Sequence, residues 1–152
     1  MSIQINTKPF GQIKVEKKQI IDFPDGILGF EFVEKFVILD SDEKSPFKWM
    51  QAYSIPELAF IIIRPIDFLV KYELIVSQND MKALNVESVE ELLVFAIVTI
   101  PSNPSEMTAN LQGPIAINPQ KRIGRQVISL SDKYIVKHKI LEEMKKLAEG
   151  EK

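Results

Sequence analysis

Residues Leu92–Asn118 read LLVFAIVTIPSNPSEMTANLQGPIAIN. From Leu92 to Ile100 the only polar residue is Thr99, and Pro101 stops the run. A bilayer span needs about 20 consecutive apolar residues, so this segment is too short to cross a membrane. Its Val, Ile and Phe content predicts a central strand buried on both faces. A loop with two prolines follows. Then Thr108-Ala109-Asn110-Leu111-Gln112-Gly113-Pro114 makes a polar turn that feeds a second apolar segment, Ile115–Asn118.

Working outward, the N-terminal side alternates in short β-like pieces: Ser2–Thr7, Gln12–Glu16 and Ile20-Ile21, with a turn at Pro9-Phe10-Gly11. Strands are also predicted at Phe36–Asp40, Phe47–Tyr53, Leu58–Ile63 and Phe68–Val76. Between them, Phe23-Pro24-Asp25-Gly26-Ile27-Leu28-Gly29-Phe30-Glu31 combines turn chemistry with four large apolar residues. Proline presets φ there and glycine accepts a positive φ. The four apolar side chains either plug one end of a barrel or form an apolar docking loop. Ser77 with Asp80 suggests a helix N-cap, and Val86–Leu93 has helical spacing, giving two short helices or turns before the central strand. On the C-terminal side, Gln120–Ile128 forms a loop and a strand that pairs with Ile115–Asn118, with Lys121, Arg122 and Arg125 at a basic tip. Ile140, Leu141, Met144 and Leu147 share one face of a final amphipathic helix.

The chain has 152 residues, 45% of them hydrophobic and 26% charged, which favours a single core. It has no cysteine, which excludes disulfides, thiolate catalysis and cysteine metal sites. The N-terminus shows no signal-peptide pattern and no stretch reads as a membrane helix, so a cytoplasmic protein is expected. Net charge is −2 but uneven: +3 over residues 1–19, −9 over 20–110 and +4 over 111–152. An acidic middle would favour a basic partner over nucleic acid.

No phosphate loop, metal cluster or nucleophile–base pair is legible. The one histidine, His138, lies between two lysines. No cofactor is expected, and a binding protein is favoured over an enzyme. Two other readings stay open: a small barrel that binds a cofactor, and a weak RNA-binding module using Lys121, Arg122 and Arg125, which lacks interleaved aromatic residues for base stacking.

Several motifs together resemble the flagellar assembly factor FliW family. They are Phe23-Pro24-x-Gly26-x-Leu28-Gly29-Phe30-Glu31, Phe36-Val37-Ile38-Leu39, Ser45-Pro46-Phe47 with Met50-Gln51, and Leu58-Ala59-Phe60 with Pro65 and Tyr72. The run Thr108–Ile115 with Ile117-Asn118, then Lys121-Arg122-x-Gly124-x-Gln126, completes the set. The match spans about Ile5 to Leu141. It implies a mostly β, small β-barrel-like single domain over residues 1–141, with short helices between strands and a C-terminal helical extension or tail at 142–152. It also implies a cytoplasmic, chaperone-like regulator of flagellum biogenesis that binds flagellin. When flagellin is exported, such a protein binds the RNA-binding translational repressor CsrA and relieves repression of flagellin synthesis. The expected partner-binding residues are Phe23, Pro24, Gly26, Leu28, Phe30 and Glu31 in the first loop and Asn110 and Gln112 in the second. The alternative for Asn110 is that it only caps turn backbone.

Overall fold

The computed structural model describes residues 2–40 and 44–150. Eleven strands and two helices are assigned among them: β1 (Ser2–Thr7), β2 (Gly11–Glu16), β3 (Ile20–Asp22), β4 (Lys35–Asp40), β5 (Lys48–Ala52), β6 (Ala59–Ile63), α1 (Gln78–Ala83), β7 (Leu93–Thr99), β8 (Thr108–Ala109), β9 (Ile115–Asn118), β10 (Ile123–Gln126), β11 (His138–Lys139) and α2 (Ile140–Gly150).

Seven strands close into a barrel in the order β7-β6-β5-β4-β3-β10-β9 and back to β7. Every seam is antiparallel except β3–β10, which is parallel and rests on one registered pair, Asp22 with Ile123. Closure removes the open edges that invite aggregation. The lumen is filled by side chains: Ile21, Phe23, Phe36, Met50, Ile62, Phe95, Ile115 and Ile117 form one cluster.

The outer face of the barrel is also covered, which is why several strands read as unbroken apolar runs. In β4, Phe36 points into the lumen cluster while Val37 packs outward against Ile5 and Val15 of the β1–β2 hairpin. In β7, Phe95 faces the lumen. Ala96 and Val98 join Phe68, Leu111 and Ile140 on another side. The expected central strand is therefore buried on both faces through its middle. Its ends, Leu93 and Thr99, reach solvent. Helix α2 does not sit loose: Ile140 is fully buried and Met144 packs against the same cluster.

Strands β8 and β9 are two halves of one edge partner of β7. Ala109 pairs with Val98, the Asn110 amide donates to the Ile97 carbonyl (2.9 Å), and the pairing resumes at Ile115 with Phe95. Between those pairs Asn110–Pro114 face only Ile97 and Ala96, so three extra residues are taken up in a bulge whose Leu111 turns into the core. The hairpin of β9 with β10 forms as the sequence suggests.

The predicted strand at Phe68–Val76 does not form. Pro65 opens a 3-10 turn through Asp67, and the chain then runs without a ladder. It is held by isolated bonds: Tyr72 Oη–H to the Leu111 carbonyl (2.6 Å), the Glu73 amide to Tyr134 Oη (2.8 Å) and the Leu130 amide to the Ile75 carbonyl (2.8 Å). Burying Phe68 and part of Tyr72 takes the place of pairing as the source of order there.

Candidate functional site

The Phe23–Glu31 loop is closed at its base, where the Phe23 amide donates to the Glu34 carbonyl (2.7 Å). Two successive turns follow. The Gly26 amide returns to the Phe23 carbonyl (2.9 Å) and the Phe30 amide to the Ile27 carbonyl (2.6 Å). Gly26 has φ +66° and a β-carbon on it would lie 2.5 Å from Glu31 Cα, so both conformation and space demand glycine. The Glu31 carboxylate accepts the Gly29 amide (2.9 Å) and so stiffens the loop from within.

The four apolar residues divide the two roles offered by the sequence. Phe23 and Ile27 are buried and plug the barrel, with the Phe23 ring packed edge-on against Phe36 at 5.1 Å. Phe30 is half-buried against Phe60 at 5.1 Å. Leu28 is 77% exposed, and Phe32, just beyond the motif, is 71% exposed.

The second loop is the bulge on β7. Asn110 Oδ1 accepts the Gly113 amide (2.8 Å), so this side chain caps its own turn. The Gln112 carbonyl accepts the Ser129 amide (2.7 Å), and its side chain is half-buried.

Gln126 joins the two loops. Its Oε1 accepts the Leu28 amide (3.0 Å) while its Nε2 donates to the Gly113 carbonyl (3.0 Å). Next to it, Arg125 Nε donates to Asp80 Oδ1 of α1 (2.8 Å), and its terminal guanidinium nitrogen pairs with Asp25 of the first loop. Arg125 is thus an internal brace and does not belong to the basic tip expected for it, which reduces to Lys121 and Arg122. A planar guanidinium with several fixed donors suits such a bridge between two carboxylates. Arg125 enters the sequence reading only as part of the basic tip and Gln126 only as part of the family motif; neither is among the expected partner-binding residues. Their spacing after a glycine carried no signal for pairing with a loop about a hundred residues earlier.

Beyond Gln126 the chain stays extended, and the alternating Ile128 and Leu130 face solvent at 56% and 63% exposure. The Gln126 side chain holds the Leu28 amide, and the Leu130 amide donates to the Ile75 carbonyl, so the exposed Leu28, Ile128, Leu130 and Ile75 form an apolar strip tied to the two loops by short connections. Near Ile75 and Leu130 in the chain, Tyr72 and Tyr134 pack on each other, with ring centroids 4.5 Å apart. Burial, and secondarily the neighbouring Tyr134, holds the Tyr72 phenol well above the usual tyrosine range, so it stays a hydrogen-bond donor.

Among the described residues no group of three or more His, Cys, Asp or Glu could hold a metal, and no helix is long and apolar enough to cross a membrane. His138 is half-buried, 3.4 Å from Glu143 and against the Phe68 ring. What the two loops and Gln126 present is a braced, partly apolar surface.

The sequence model of the FliW protein family matches residues 4–140. The chain belongs to the FliW family. Its relatives include the flagellar assembly factor FliW of Leptospira interrogans serovar Lai, 43% identical over 93% of this chain and 95% of that protein. That of Caldanaerobacter subterraneus subsp. tengcongensis is 44% identical over 94% and 96%. A crystal structure of the flagellar assembly factor FliW superposes with a TM-score of 0.82 at 34% identity, covering 91% of this chain and 96% of that one. The seven-stranded barrel and short C-terminal helix are thus the FliW architecture.

Proposed function

We propose that this FliW-family protein is a non-enzymatic cytoplasmic regulator that binds flagellin and, once flagellin is exported, binds the repressor CsrA and so restores flagellin synthesis. The observation that carries this reading is the match of residues 4–140 to a family whose relatives are named as flagellar assembly factors. The site supports it physically. A loop pair held by Gln126 and Arg125 presents Leu28, Phe32, Ile128 and Leu130 to solvent with little left to order on binding. In this reading Leu28 and Phe30 contact the partner, while Phe23, Pro24, Gly26, Glu31, Asn110 and Gln112 hold the surface in shape. The acidic charge of residues 20–110 suits a basic, RNA-binding repressor and would speed its encounter.

The partner switch requires only that binding of one partner weakens binding of the other. A pull-down of the native protein from lysate, with and without added flagellin, tests it. Recovery of the repressor should fall as flagellin is added; unchanged recovery would remove the switch. The cofactor reading finds little support, since Phe23, Phe36, Phe95 and Met50 fill the lumen where a small-barrel ligand would sit.

A further inference from the structure

At the base of the first loop, the β1–β2 hairpin and the β9–β10 turn border a cleft of about 250 Å³. Four cations line it from three parts of the chain: Lys17 after β2, Lys35 on β4, and Lys121 and Arg122 in the turn. One carboxylate, Asp22, lines it too and is paired with Lys35 at 2.5 Å. Lys17, Lys121 and Arg122 have no side-chain ion pair or hydrogen bond among the described residues. In a chain of net charge −2, this hollow carries a local excess of three positive charges. A cleft lined by one sign of charge focuses field and concentrates the opposite ion.

The turn that supplies Lys121 and Arg122 is fixed. Asn118 Oδ1 accepts the Gln120 and Lys121 amides (3.1 and 3.3 Å). The Arg122 amide donates to the Asn118 carbonyl (2.8 Å), and the Arg122 carbonyl accepts the Asp22 amide (2.9 Å). Arg122 sits at φ +56° within that web. The rest of the lining is Tyr53, Ile3 and Ile20, which pack against the same cluster of Ile5, Val15 and Val37.

We propose that this cleft binds a nucleoside phosphate, with the phosphates on Lys17, Lys121 and Arg122 and the base against Tyr53. Guanidinium and ammonium groups together are the chemistry of phosphate recognition. A planar base fits the remaining wall, where a bare anion would leave Tyr53 and the isoleucines unused. Single-stranded RNA fits less well: it needs successive stacking platforms along a basic track. The hollow offers one ring, and Arg125, the next cation along the chain, is outside it and committed to Asp25 and Asp80.

Titration of the full chain with adenosine 5′-diphosphate, followed by ¹⁵N–¹H spectra, tests the assignment. Saturable shifts are expected at the amides of Lys17, Tyr53, Lys121 and Arg122. Adenosine alone should bind at least roughly tenfold more weakly, and inorganic phosphate should move Lys121 and Arg122 but not Tyr53. Arg122→Asn tolerates the left-handed backbone and removes the charge; with Lys17→Glu it should weaken binding by roughly tenfold or more. Lys121→Ala is a second, independent removal of charge. Lys14→Glu, exposed on β2 and outside the cleft, should change nothing. The site is refuted by no saturable response, by equal binding of adenosine, by cleft variants that bind as tightly as the parent, or by a short RNA that binds where the diphosphate does not.

Discussion

The ring of Phe23 lies directly over Gly124: a β-carbon at residue 124 would come within 2.4 Å of the Phe23 Cζ. Gly124 sits on β10, next to the strand that closes the barrel, and Phe23 is fully buried. A methyl group there must therefore displace the ring that plugs the lumen. Gly124→Ala should destabilise the protein by about 2 kcal/mol, within the ordinary range for overpacking. Phe23→Ala should cost about 3–5 kcal/mol through the cavity it leaves. The double variant should be less unstable than the two losses added together, because without the ring the new methyl loses that clash and fills part of the space the ring leaves. Urea unfolding of the four proteins reads this directly, and strict additivity would mean that the two sites do not share that space.

Gln126 holds both loops by opposite ends of one amide, so Gln126→Glu is the discriminating change. The carboxylate can still accept the Leu28 amide but faces the Gly113 carbonyl with no proton to give. The bulge should loosen while the first loop stays, seen as faster hydrogen exchange at Gly113 than at Leu28. Gln126→Ala should release both, at a cost of about 1 kcal/mol per lost bond. Equal protection of both amides in all three proteins would show that the bridge is not what orders them.

Leu28 and Phe32 stand in solvent, and their replacement by Asp should change stability by less than about 1 kcal/mol. If the strip is the contact surface, Leu28→Asp should still lower affinity for flagellin by roughly tenfold or more, because an aliphatic anchor becomes a charge that must be desolvated. Calorimetry of purified proteins measures it. A variant that folds and binds like the parent would move the contact elsewhere.

Tyr72 gives a prediction in pH. Its folded-state pKa is raised above the unfolded value of 10.0, so the phenol is a weaker acid in the folded protein and the protonated form is the one folding favours. The stability it contributes is complete below about pH 10 and is lost as pH rises further, because the unfolded chain then releases the proton more readily. Tyr72→Phe removes this dependence together with the bond to the Leu111 carbonyl. The parent should lead the variant at pH 8, and the gap should narrow above pH 10. A gap constant across that range would mean that the phenol is not the titrating group.

The sequence made the barrel legible because its strands carry dense β-branched and aromatic runs closed by proline. Leu93–Thr99 and Lys35–Asp40 lie within a residue of their expected limits. It failed at Phe68–Val76, where a tyrosine hydroxyl and a buried ring replace ladder bonds, an outcome that apolar spacing cannot express. The Val86–Leu93 stretch, whose spacing predicts a short helix or turn, does form one at Val89–Glu91, but the capping box that starts it, Ser88 with Glu91, is not part of that prediction. The loops announced themselves through Pro-Asp-Gly and Gln-Gly-Pro. Their union did not, because it depends on two residues, Arg125 and Gln126, that look like ordinary polar positions until the chain has closed on itself.

That closure has a consequence during synthesis. The seam of β3 with β10 joins Asp22 to Ile123 through one registered pair, and Arg125 and Gln126 follow immediately behind. A ribosome releases the N-terminal portion first. Until roughly the last fifth of the message has been translated, Leu28 has no counterpart to grip and the cylinder stands open. On the function proposed above, a nascent chain arrested before that point should be blind to its partners, so recognition competence would arrive late and all at once, as a property of the finished polypeptide.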